Sequence, residues 1–87
     1  MFTTLEEIQS ARRNILGQAV RTPLVRLNLP ESPATIWLKL ENLQPIGSFK
    51  IRGAVNAMSR MTPDALARGV VTASAGNMAQ GLAWCAR

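Results

Sequence analysis

The sequence contains no histidine and no tyrosine, a single cysteine, and only five acidic residues against ten basic ones. Each shortage removes a class of chemistry. Without histidine, Ser-His and Cys-His nucleophilic pairs cannot be assembled, and most transition-metal sites lose their commonest ligand. A lone Cys85 forbids an internal disulfide, which suits a reducing compartment. Beside Trp84 in an Ala-rich stretch, that cysteine is expected to pack as a small buried residue. Aromatic residues make up only 5% of the chain, so the net charge of +5 comes without stacking surfaces for nucleic-acid bases. The basic residues are scattered from Arg12 to Arg87, which fits a solvated surface better than a nucleic-acid site. No apolar run approaches the length that crosses a bilayer, and the N-terminal "MFTTLEEIQSARRN" has two acids and no apolar signal core. The expectation is a cytoplasmic protein with neither membrane nor nucleic acid as partner.

What is present is apolar enough to fold, at 47% hydrophobic residues, although 87 residues can bury only a modest core. Thr4 and Glu7 fit a capping box, and Leu5, Ile8, Ile15, Leu16 and Ala19 recur at helical spacing, predicting a helix over 4–19. Pro23 ends it. Leu24–Leu27 and the alternating Ile36–Leu40 read as strands, and "NLQPIG" as a turn. Ser48 is the expected N-cap of a helix reaching about Met61. Thr62 and Pro63 start a short helix that Gly69 stops. "VVTAS" is expected as a brief buried strand, followed by a helix through "GNMAQGLAWCAR". This order of elements predicts an α/β fold with parallel crossovers. The last helix has no stop signal by Arg87, and so few strands cannot cover a parallel sheet; the expectation is the N-terminal piece of a longer chain.

Two stretches carry chemistry. In Gly47-Ser48-Phe49-Lys50, a lysine stands in the first turn of a predicted helix, in a chain with eight arginines and only one other lysine. The macrodipole and free N–H groups there disfavour a cation, and unlike guanidinium an amine can serve as base or nucleophile. A solvated charge is the plain alternative. The second stretch, Thr72-Ala73-Ser74-Ala75-Gly76-Asn77-Met78-Ala79-Gln80-Gly81, leads through small residues into a helix. Backbone N–H groups and the Ser74, Asn77 and Gln80 side chains could converge there on a carboxylate or phosphate. A tight, capped connection explains the same residues equally well. Neither the Walker phosphate loop nor the dinucleotide fingerprint is present.

"LKLENLQPIGSFKIRGA" followed by "GVVTASAGNMAQG", with "RTPL" upstream, resembles the threonine/serine dehydratases, pyridoxal-phosphate enzymes of fold type II (tryptophan synthase β-like). The resemblance spans nearly the whole chain. It implies the N-terminal part of a two-domain, parallel-sheet α/β architecture, with residues 1–68 in the large cofactor-binding domain and 69–87 opening the smaller substrate-loop domain. It also implies that Lys50 holds pyridoxal phosphate as a Schiff base and then removes the substrate Cα proton. Phe49 would pack beside the ring, and Asn77 would lie near its phenolic oxygen. Ser74, Ala75, Gly76 and Asn77 would hold the substrate carboxylate, with Gln80 a weaker member of the set. Ser48, Arg52 and Gly53 would shape the lysine's helix.

The implied reaction is β-elimination of the hydroxyl from L-threonine or L-serine, giving a 2-oxo acid and ammonia, by a homo-oligomer when full length. No metal is implied. Ala75 stands where related racemases carry a serine base, which favours dehydration, and Ile51 stands where sulfide-using cysteine synthases usually carry an acid. Met78 departs from the family's usual His and opens the substrate question. A different β-hydroxy amino acid, such as 3-hydroxyaspartate, and a truncated remnant without catalysis are the alternatives. The glycine-rich phosphate loop of the family does not lie within these 87 residues, so the chain alone is expected to be inactive.

Overall fold

The computed structural model describes residues 1–87. It contains α1 (Leu5–Asn14), β1 (Leu24–Arg26), β2 (Trp37–Lys39), a 3-10 turn (Glu41–Leu43), α2 (Lys50–Ser59), α3 (Pro63–Ala67) and α4 (Asn77–Cys85). The capping box forms as the residue pattern requires. Thr4 Oγ1 accepts from Glu7 N–H at 3.2 Å, and Glu7 Oε2 accepts from Thr4 N–H at 2.7 Å. Those bonds, to the Thr4 backbone first and then to its side chain, hold the Glu7 carboxyl below its usual range. The helix is shorter than its apolar spacing predicts. Ile15 caps it, and Gly17 at φ 81° turns the chain in a conformation that side chains with a Cβ resist. Its apolar residues Leu5 and Ile8 stay exposed, and no residue of α1 is buried.

The two strands pair antiparallel, with Leu24 opposite Lys39 and Arg26 opposite Trp37. They form the whole of the sheet. The expected strand through "VVTAS" does not form: residues 70–74 are irregular, and Val71 is almost fully exposed. A buried strand is made by its neighbours, and no strand runs beside this one to accept its backbone bonds. The parallel crossovers expected from the element order are therefore not present in these residues.

The core lies between α2 and α4. Ile51, Ala54 and Val55 of α2 are buried, and so is Gly81 of α4. A Cβ on Gly81 would come within 3.2 Å of Ala54 Cβ and 3.5 Å of the Lys50 carbonyl oxygen, so the bare backbone is what lets the helices meet. Further along, Val55 and Met58 face Trp84 and Cys85 around a cavity of about 340 Å³. Early residues thus meet early residues and late meet late. The two helices run side by side in the same direction, with their N-termini at one end and the cavity at the other. Cys85 is half-buried rather than enclosed, and what burial it has pushes its thiol pKa up.

Around this pair the chain is open. Only 7 of 87 residues are buried, and the radius of gyration is 15.9 Å, against about 12 Å for a compact domain of this length.

Candidate functional site

Lys50 is the first residue of α2. Gly47, at φ 75°, makes the turn that delivers it, and Phe49 takes the N-cap place in a helical conformation with no side-chain cap. Ser48, the expected cap, does not cap. Its side chain is buried and its Oγ has no hydrogen-bond partner. Phe49 takes the N-cap place while helical itself (φ −67°, ψ −13°), and the buried Ser48 Oγ reaches none of the free N–H groups of the first turn. The Lys50 amine has neither hydrogen bond nor ion pair. Its Nζ lies 5.4 Å from the centroid of the exposed Phe49 ring.

The helix that carries Lys50 is anchored by its neighbour in the same turn. Arg52 donates through Nε to Glu41 Oε1 and through Nη2 to Glu41 Oε2 at 3.1 Å and to the Val20 carbonyl at 3.1 Å. Glu41 also accepts from Thr22 Oγ1 at 2.6 Å and Gln44 Nε2 at 3.1 Å. Gln44 in turn brackets Val20, accepting from its N–H at 2.8 Å and donating to its carbonyl at 2.7 Å. Thr22 and Gln44 are buried. The Arg52 hydrogen bond, with help from Thr22, Gln44 and the guanidinium charge, lowers the Glu41 pKa to about 2. The same partner raises that of Arg52. A cation in a helix's first turn opposes the macrodipole, and this bidentate pair offsets that cost. Arg52 shaping the lysine's helix is as expected; the partners Glu41, Gln44, Thr22 and Val20 had no signal in the sequence.

Residues 74–77 lead into α4, with Gly76 as its N-cap. Ser74 Oγ accepts from the N–H groups of Gly76 at 3.2 Å and Ala79 at 3.3 Å, so it does the capping that Gly76 cannot. Ser74, Ala75, Gly76, Asn77 and Gln80 are exposed, and Met78 is half-buried. Because α2 and α4 run in the same direction, this loop and Lys50 stand at the same end of the helix pair. Gly81, one turn into α4, lies against the Lys50 carbonyl. Two helix N-termini with free N–H groups side by side make that end electropositive.

A family model described as "Pyridoxal-phosphate dependent enzyme" matches residues 15–87. The chain belongs to that family. Pyridoxal phosphate is therefore the cofactor the site has to suit, and the residues present fit it: an amine with no competing partner, beside a buried hydroxyl with none. A protein named "L-threonine ammonia-lyase" from Thermotoga maritima is 45% identical over 97% of this chain. One named "L-threonine dehydratase catabolic TdcB" from Staphylococcus aureus is 40% identical over 99% of it. The chain spans 21% and 26% of the lengths of those two relatives. No solved structure matches it. No helix is long and apolar enough to cross a membrane.

Proposed function

We propose that this chain is the lysine-bearing part of an enzyme that deaminates L-threonine or L-serine by β-elimination. The observation that supports the reading is the close approach of Gly81 to Ala54 and the Lys50 carbonyl, which brings the start of α4 to the end of α2 that carries Lys50. The likeness to relatives named for threonine supports the substrate. Lys50 Nζ would hold the cofactor covalently, with Phe49 packed beside the ring and Asn77 near its phenolic oxygen. Ser74 and Asn77, with the N–H groups at Ala75 and Gly76, would bind the substrate carboxylate, and Gln80 would add a donor at the rim. Bound pyridoxal phosphate supplies an electron sink that acidifies the substrate Cα–H. The Lys50 amine would take that proton, and the β-hydroxyl would leave with a proton as water. The enamine left behind would tautomerise to an imine, and one water would hydrolyse it to the 2-oxo acid and ammonia.

The same reading divides the chain at residues 68 and 69 between a large and a small domain of a parallel-sheet architecture, within a homo-oligomeric cytoplasmic enzyme. Met78 stands directly after Asn77 in place of the family's usual His and opens the choice of substrate; the second reading takes another β-hydroxy amino acid such as 3-hydroxyaspartate. The test is borohydride reduction of the protein carrying this sequence within the family's full length, after loading with pyridoxal phosphate. The phosphopyridoxyl group is expected on Lys50, and ammonia is expected from L-threonine or L-serine. A label at Lys50 with ammonia only from 3-hydroxyaspartate moves the substrate. Absence of label from Lys50 removes the reading.

A further inference from the structure

On the side of the molecule formed by α1 and the sheet, a cleft of about 290 Å³ is lined by Arg12, Arg21, Lys39 and Arg52 over Ile15, Leu16 and Ala19. Four cations around one small cleft repel each other, and the arrangement needs a reason. The chain has a single ion pair, Arg52 with Glu41, so only one of the four is neutralised. Lys39 spends one donor on the Thr22 carbonyl, which leaves two free. Arg52 uses Nε and Nη2, which leaves both Nη1 hydrogens unspent. Arg12 and Arg21 have no ion-pair partner at all. The floor is different in kind, since Ile15 and Ala19 are half-buried and Leu16 is largely exposed.

We infer that this cleft binds a phosphate monoester, its dianion held by Arg12, Arg21 and Lys39 and its organic group laid on Ile15, Leu16 and Ala19. Guanidinium forks match phosphate oxygens in pairs, and charge of one sign in a cleft draws oppositely charged ligands. The apolar floor explains why an ester fits better than the free ion, because inorganic phosphate leaves Leu16 uncovered. The site is separate from Lys50 and does not depend on the deaminase reading.

The test is a titration of the protein carrying this sequence within the family's full length, loaded with pyridoxal phosphate, using phenyl phosphate, inorganic phosphate and phenol at constant ionic strength, followed by amide chemical shifts. Phenyl phosphate is expected to bind more tightly than inorganic phosphate, and phenol not at all. The shifts should cluster at Arg12, Ile15, Leu16, Arg21 and Lys39. The double variant Arg12→Gln/Arg21→Gln removes two charge-assisted contacts and should lose at least about tenfold in affinity. A control with the same change in net charge, Arg26→Gln/Arg68→Gln, should keep the wild-type affinity. Equal losses in both variants, or shifts spread over the basic surface, overturn the proposal in favour of charge screening. A glutamate-rich peptide that displaces phenyl phosphate and binds more tightly overturns it in favour of a protein partner.

Discussion

Glu41 has more consequence than its position in a turn suggests. Its carboxylate joins Thr22, Gln44 and Arg52, and through Arg52 it fixes the first turn of the helix that begins at Lys50. Its pKa is lowered to about 2 from an ordinary carboxyl value of 4.5, so the unfolded chain binds this proton more readily than the folded one. The stability it contributes is complete above pH 4.5 and disappears as pH falls toward 2. Glu41→Gln should lower stability at pH 7 by about 1–3 kcal/mol, because a partly buried Arg52 loses its charged acceptor. It should also flatten the acid side of the stability curve. Urea unfolding at pH 7, 4 and 3 checks both, and an unchanged acid slope would remove Glu41 as the titrating group. This cluster was not legible in the sequence, because its members are separated along the chain and only the fold selects them. The place of Lys50 in the first turn of a helix was legible for the opposite reason: its turn glycine and its flanking residues are local.

The same division separates the elements. The capping box at Thr4 and Glu7, the Thr62–Pro63 start of α3 and the stop at Gly69 formed as expected, since each is settled by bonds within a few residues. Ser48 has the right chemistry for a cap, but Phe49 takes the N-cap place and the Ser48 Oγ is buried without a partner. The "VVTAS" strand misled because a strand's bonds belong to its neighbours. Between α2 and α4 the decisive position is Gly81, which reads in sequence only as a weak helix residue. Gly81→Val should force the helices apart and cost about 1–3 kcal/mol, because Ala54 Cβ sits on a helix backbone and cannot give way. The readout is the urea midpoint, and an unchanged midpoint would mean that the helices do not touch there. Native-state hydrogen exchange gives a further check. Amides in α2 and α4 should exchange slowest, while those of α1 and the hairpin, with no buried residue in either, should exchange near the free rate.

Taken entire, the chain exposes 6,954 Å², roughly 1,900 Å² more than the ~5,000 Å² expected of a compact monomer of this length. Much of the excess is apolar: Leu24, Trp37 and Leu38 on the hairpin, Phe49 beside the lysine, and Val71 on the segment between α3 and α4. The family relationship was legible from two motifs in order, whereas this openness was not, since hydrophobic spacing reports which faces should be covered but not by what. The exposed apolar faces also bear on how the sequence can drift. A chain that works uncovered gains solubility by exchanging Val71 or Trp37 for a polar residue, and nothing in its own fold opposes the change. A chain whose faces are covered in use is held to apolar residues there. Random mutagenesis of these positions, scored once for the solubility of the chain alone and once for the proposed deamination by the protein carrying this sequence within the family's full length, should give opposite rankings, and the residues that invert are the ones that mark the covered ground.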